Sequence, residues 1–302
     1  MPQTVLILGP TGRFGRNAAD QFGRAGWIVR HFDRKRDNLE VAAMGADIIV
    51  NGWNPAYPDW QRLVPGLTAQ VIDAAKLSGA TVVVPGNVYV FGADTPAPWS
   101  EMTPHRAENP LGQIRRTMEA AYRASGVPTI VLRAGDFLDT QASGNWFDMI
   151  LTKRLAKGRF DYPGSPDIPH AWAFLPDLCR AAVQLAEMRA RLPRFADIPF
   201  PGYTASGEDL RAGLERMTGN PVRLNRMSWL PLQLARPVWP MARSIIEMRY
   251  LWQTPHWLDG SLFHTLCPDF TVTPLDRALA AAIPADLVQR QVDPDQTVTA
   301  GA

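Results

Sequence analysis

The stretch Thr4-Val5-Leu6-Ile7-Leu8-Gly9-Pro10-Thr11-Gly12-Arg13-Phe14-Gly15 decides the fold. Val5 to Leu8 is short, apolar and unbroken, the signature of a parallel strand buried on both faces. Phe14 to Ala25 has helical periodicity, so the three glycines fall between a strand and a helix. That context gives a glycine turn its meaning. Glycine allows a tight turn, a close backbone approach to a pyrophosphate and close packing of helix on sheet. The helix N-terminus, with its free N–H groups and positive dipole end, then attracts the anion. Gly9, Thr11, Gly12, Arg13, Phe14 and Gly15 are therefore the expected pyrophosphate cradle of a dinucleotide.

Working outward, a second strand runs from Trp27 to Phe32 and ends at Asp33, 18 residues beyond Gly15. An acid at that place accepts the adenosine ribose hydroxyls and suits NAD. Arg34, Lys35 and Arg36 follow at once, and with Arg13 they suit the 2′-phosphate of NADP. Asp33 holds the better-fixed position, at the strand end, which tips the reading slightly to NAD. A third strand, Asp47 to Val50, leads into Asn51 and a Pro-rich loop ending at Trp60, past a strand's carboxyl end, where open α/β sheets bind ligands. Val64 to Ser78 and Pro110 to Ser125 read as helices, Ala80 to Val84 and Pro128 to Leu132 as strands. This alternation implies βαβ units, a parallel sheet and right-handed crossovers.

The regularity weakens after residue 134. Ala171 to Leu175 reads as a strand, Pro176 to Arg191 as a helix, Phe195 to Phe200 as a strand, and Ser206 caps a helix reaching Thr218. Val222 to Leu224 reads as a short strand, followed by helical, Pro-punctuated chain. The expected organisation is a Rossmann domain over residues 1–170. Residues 171–291 hold the last Rossmann elements and a small interleaved α/β substrate lobe, and 292–302 form a flexible tail.

Composition narrows the function. The chain has 302 residues, 46% of them hydrophobic, and a net charge of +2. Neither a nucleic-acid partner nor a membrane-spanning segment of roughly 20 apolar residues is indicated. Cys179 and Cys267 provide neither a disulfide framework nor a metal spacing, and the first strand leaves no room for a signal peptide. The expectation is a cytoplasmic protein without a metal, acting on a small molecule, with a homodimer left open.

Several segments together resemble the extended and atypical short-chain dehydrogenase/reductase family, which contains nucleotide-sugar epimerases and dehydratases. They are the Gly9–Gly15 turn, Asp47 to Asn51, Val82 to Gly92, and Ala173 to Leu178. The resemblance implies a Rossmann domain with a small C-terminal substrate lobe. It also implies a catalytic Tyr-x-x-x-Lys, whose lysine lowers the tyrosine pKa and holds the nicotinamide ribose. No such motif occurs in this chain. In the matching helix Leu111 stands at the tyrosine position and Arg115 at the lysine position, and Asn87 falls near the family's Ser or Thr. Arg115 can hold ribose hydroxyls, because it is always charged and donates in a fork. Leu111 can transfer no proton.

The proton must then come from elsewhere. Tyr89 is the first candidate and His170 the second, with Asn87 hydrogen-bonding the substrate oxygen. Tyr89 as a mere packing aromatic is an equal alternative. His105 sits in another loop of the expected cleft, while Asp136 and Asp139 read as capping or solvated groups. The Trp229–Trp257 stretch reads first as the core of the small lobe, then as a pocket roof or a membrane-facing surface. Three functions stay open: an NAD(P)(H)-dependent oxidoreductase acting on a small organic substrate, a catalytically inactive dinucleotide-binding sensor or scaffold, and a cofactor-stabilised protein docked on a membrane or partner.

Overall fold

The computed structural model describes residues 2–289; the tail expected from 292 lies outside them. The strands are β1 (Thr4–Leu8), β2 (Ile28–Phe32), β3 (Ile48–Asn51), β4 (Thr81–Gly86), β5 (Thr129–Arg133) and β6 (Asp136–Leu138), then β7 (Arg159–Tyr162), β8 (His170–Phe174), β9 (Phe195–Pro199), β10 (Tyr203–Ala205) and β11 (Arg223–Arg226). Between and after them lie α1 (Arg13–Arg24), α2 (Leu39–Ala43), α3 (Trp60–Ser78), α4 (Pro110–Ser125), α5 (Leu175–Glu187) and α6 (Gly207–Thr218), then α7 (Leu230–Ala235), α8 (Pro240–Glu247), α9 (Ser261–Leu266) and α10 (Leu275–Ala282).

Six strands form one parallel sheet in the order β2-β1-β3-β4-β5-β9. Alternate residues of its strands face opposite layers. Leu6, Leu8, Ile49, Val82 and Val131 meet Val71, Ile72, Met118 and Tyr122 of α3 and α4. Val5, Ile7, Val50, Val83 and Ile130 meet Phe14, Ala18, Phe22 and Leu178 of α1 and α5. The inner strands β1, β3 and β4 are mainly apolar because both their faces are covered, whereas the edge strand β2 exposes Arg30 and His31; each buried apolar side chain contributes roughly 1.5–3 kcal/mol. The fold is therefore a Rossmann-type, doubly wound α/β sheet, as the alternation implies.

The chain leaves this sheet after β5 and returns to it only at β9. Between them it lays down β6, β7 and β8. A second sheet runs β10-β8-β6, and β11 pairs with β7. A third core joins them, with Phe160, Tyr162, Trp172, Leu210 and Leu214 packed around Trp229 and Trp252. Trp229 and Trp252 are thus core residues, whereas Trp239 stands half exposed. Ser206 caps α6 with a reciprocal bond to Asp209. No helix among the described residues is long and apolar enough to cross a membrane.

Candidate functional site

β1 has β2 on one side and β3 on the other, so the crossover direction reverses at β1. A crevice opens at such a switch point, at the strands' carboxyl ends. The glycine turn fills its floor. Gly9 has φ +72°, and a Cβ on Gly15 would overlap the Gly9 carbonyl oxygen. The N–H of Gly12 donates to the Gly9 carbonyl at 3.0 Å. No side chain caps α1, and its first turn holds no acid, so its N-terminal N–H groups face the cleft unopposed.

The cleft has a volume of about 540 Å³. Gly12, Arg13, Phe14, Asn51, Asn87, Tyr89 and Arg115 all line it. Gly9 and Gly15 lie behind that lining and set its shape, and Thr11 is exposed on the turn. Asp33 and Arg34 stand outside the lining. The Asp33 carboxylate accepts the Lys35 N–H at 2.9 Å and lies 3.5 Å from Arg36. The Arg34 guanidinium sits 4.7 Å over the ring of Trp53, which does line the cleft. One face of the basic turn thereby reaches the cleft through an aromatic wall.

At the opposite end, Asn87 caps the turn after β4, accepting the Tyr89 N–H at 3.1 Å. Tyr89 Oη lies 2.7 Å from Tyr57 Oη, and both rings pack on Trp60. Burial pushes both phenol pKa values up and Asp136 adds to both; Tyr89 goes further because its interaction with Tyr57 raises it, whereas the same hydrogen bond lowers Tyr57. The pair is held protonated, so it can donate protons but is a poor base. Tyr57 lies in the Pro-rich loop that the sequence places at a strand's carboxyl end, but nothing in that loop singles it out from its neighbours. Arg115 donates from Nη2 to the Pro85 carbonyl at 2.6 Å, and its buried Nε has no partner among the described residues. Burial also lowers its pKa. Leu111, one turn earlier on α4, is buried outside the cleft lining.

Two histidines are not where the sequence reading puts them. His170 is 1% exposed, behind the wall, stacked on Trp252 with ring centroids 4.5 Å apart. Its Nε2 lies 2.7 Å from the Asp136 carboxylate, and Asp136 lines the cleft. The short strand β6 aims that acid inward, while β8 buries the histidine behind it. Asp136 therefore lines the cleft, bonded to His170, and is not a capping or freely solvated group. His105 lies outside the cleft lining, near Glu119 and Asp197. These three could share an ion by distance, but Arg133 already bonds both carboxylates, at 2.7 and 2.6 Å. Asp139 is structural, tying down Arg16 and Asn17 of α1.

No family model matches this chain, and no curated protein matches it. Solved structures do. A UDP-glucose 4-epimerase from Brucella ovis in complex with NAD has 17% identity and a TM-score of 0.73, covering 95% of this chain and 99% of that one. A UDP-glucuronic acid 4-epimerase from Bacillus cereus, in complex with UDP-glucuronic acid and NAD, has 14% identity, TM-score 0.71 and coverage of 93% and 98%. The Bordetella bronchiseptica enzyme WbmH in complex with NAD+ has 16% identity, TM-score 0.70 and coverage of 93% and 97%. Across nearly its whole length, this chain has the fold of these solved structures.

Proposed function

We propose that this protein is a nicotinamide-dinucleotide-dependent oxidoreductase of the atypical short-chain dehydrogenase type. The observation that carries the reading is one cleft joining an uncapped helix N-terminus to a protonated tyrosine pair. The residues fit the cofactor. A glycine floor leaves room for the pyrophosphate, and the buried Arg115 Nε lacks a partner. Gly9, Thr11, Gly12, Arg13, Phe14 and Gly15 hold the pyrophosphate, Asp33 and Arg34 the adenosine ribose, and Asn51 and Arg115 the nicotinamide end. NAD is favoured over NADP by the strand-end Asp33 and by the NAD in the complexes named above.

A nicotinamide dinucleotide held there would supply a hydride to a substrate carbon, or accept one from it. Tyr89 gives the proton at the substrate oxygen, and its hydroxyl shares a 2.7 Å hydrogen bond with that of Tyr57, in which either can donate. Asn87 hydrogen-bonds the same oxygen. Asp136 replaces His170 as the second proton-handling group, since His170 can act only through it. Raised phenol pKa values suit a donor to a developing alkoxide and not a tyrosinate base, so reduction is favoured over epimerisation.

Tyr89→Phe is expected to lower turnover roughly 10² to 10⁴-fold while NADH binds as before. Full activity in that variant returns Tyr89 to a packing role. Tight NADH binding with no oxidation by any quinone, aldehyde or nucleotide sugar supports instead a non-catalytic sensor, the reading that Leu111 in the tyrosine's place favours.

A further inference from the structure

Among the described residues that line the cleft, Arg13, Arg115 and Asp136 are the ones of a charged type. All three sit at the carboxyl ends of the sheet or on the helices that follow it. Arg13 spans to the Gly144 carbonyl at 3.0 Å, and Arg115 is tied to Pro85 at 2.6 Å. The far wall is different. Trp146, Met149 and Ile150 come from one side and Leu232, Met241 and Ile245 from the other, with no ionisable side chain among them. Arg249, from the same basic and aromatic stretch, stacks on Trp229 at 5.2 Å and takes no part in the lining.

From this wall we infer that the second ligand of the cleft is an uncharged, mainly apolar molecule with one polar oxygen function, and not a nucleotide sugar. The inference rests on the dinucleotide reading above and adds the substrate class. A nucleotide sugar brings a diphosphate, which needs cations or forked donors once water is excluded. Apart from Arg13, whose guanidinium is held at the Gly144 carbonyl beside Met149, that wall offers neither, and Arg13 and Arg115 are the groups expected to meet the cofactor's phosphate and ribose. An apolar ring system needs only the apolar surface the wall presents, plus one hydrogen-bond partner for its oxygen. Tyr89 and Asn87 supply that partner.

The mouth of the cleft continues in the same character. Trp239 lines the cleft yet is 47% exposed, and Met149 is 56% exposed. Beside Trp239, Val238 is 84% exposed and Leu234 of α7 is 72% exposed. Such a contiguous apolar rim is uncommon on a water-facing surface and marks a place where apolar matter enters or docks.

The test is titration calorimetry on the full chain with NADH, UDP-glucose and 2-acetylnaphthalene, an uncharged bicyclic ketone. With NADH saturating, 2-acetylnaphthalene should bind at least tenfold more tightly than UDP-glucose. Met149→Glu and Trp239→Glu, both at exposed positions that tolerate a charge, should each loosen 2-acetylnaphthalene at least tenfold. NADH affinity should stay within threefold in both. UDP-glucose binding as tightly as the ketone overturns the inference, as do variants that leave the ketone's affinity unchanged. Failure of NADH to bind overturns the dinucleotide reading instead, and ketone binding to the free chain that is lost in the two variants would leave the apolar pocket standing.

Discussion

A single carbon separates the two tasks of the glycine turn. At Gly15 the added Cβ would strike the Gly9 carbonyl, a backbone atom that cannot step aside. Gly15→Ala should therefore cost stability, by about 3 kcal/mol in a urea unfolding series. Gly12 is different. It is the N-cap of α1 with φ −75° and ψ 162°, a conformation that aspartate adopts readily. Gly12→Asp should change the melting temperature little, since aspartate caps better than glycine by a few tenths of a kcal/mol while its Cβ would sit 3.3 Å from the Gly9 carbonyl oxygen. The same carboxylate would stand where a phosphate belongs, so NADH affinity should fall at least 100-fold. An unchanged NADH titration in that variant would place the site elsewhere. The sequence displays these glycines because their requirement is local. It also places Asn87, Tyr89 and Arg115 in the cleft, because each follows a strand whose end is legible. Tyr57 and Asp136 escape it. Their role depends on a side chain folding over from a loop and on a three-residue strand, and neither leaves a periodic trace.

Elements long enough to show a period are legible; elements held by distant partners are not. The six strands of the parallel sheet and α1, α3, α4, α5 and α6 stand near their expected places, with α3 beginning four residues earlier, at Trp60. By contrast β6, β7 and β10 have three or four residues each and exist only through pairing with β8 or β11. Those small strands build a buried chain of groups behind the cleft. Asp136 on β6 bonds His170 on β8, and the His170 ring meets His256 with centroids 4.3 Å apart. His256 is fully buried, stacks on Trp99, and has a partner for Nδ1 but, among the described residues, none for Nε2. Burial, then the neighbouring His170, pushes its pKa well below the usual 6.5. The unfolded chain takes up a proton near pH 6.5 that the folded chain refuses, so unfolding gains protons as pH falls. Stability should decline below pH 6.5 by up to about 1.4 kcal/mol per pH unit, until the folded histidine also titrates. Urea midpoints at pH 7.5, 6 and 5 measure this, and His256→Phe should flatten the decline. Asp197 acts separately. Burial raises its pKa, but Arg133 and His105 outweigh that and leave it lowered, so its contribution is lost only below about pH 4. An equal decline in the parent and His256→Phe between pH 7.5 and 5 would remove His256 as the cause.

The whole molecule is stitched across its parts. The chain goes out through β6, β7 and β8 and returns through β9 to the edge of the main sheet. Its last third contributes to every core. Met248, Leu251 and Leu258 join the α3–α4 layer, Phe263 and Phe270 the α1–α5 layer, and Trp252, Ala278 and Leu279 the third core. Further ties run from Asp139 to Arg16 and Asn17 of α1, and from Asp177 at the start of α5 to Thr273. Ala171 and Ala173 of β8 pack into the two cores of the first sheet, so heat should melt the described fold in one cooperative transition. A ligand of the cleft then stabilises all of it at once, because both walls unfold together. At 100 times its dissociation constant, NADH should add about 2.7 kcal/mol, which for a chain of this size is a rise of roughly 5 °C. Scanning calorimetry with and without NADH tests both statements. One peak that moves as a unit is expected. Two peaks, with only the first sheet's peak moved by NADH, would mean that the second sheet folds independently and that its apolar wall is not part of the bound site.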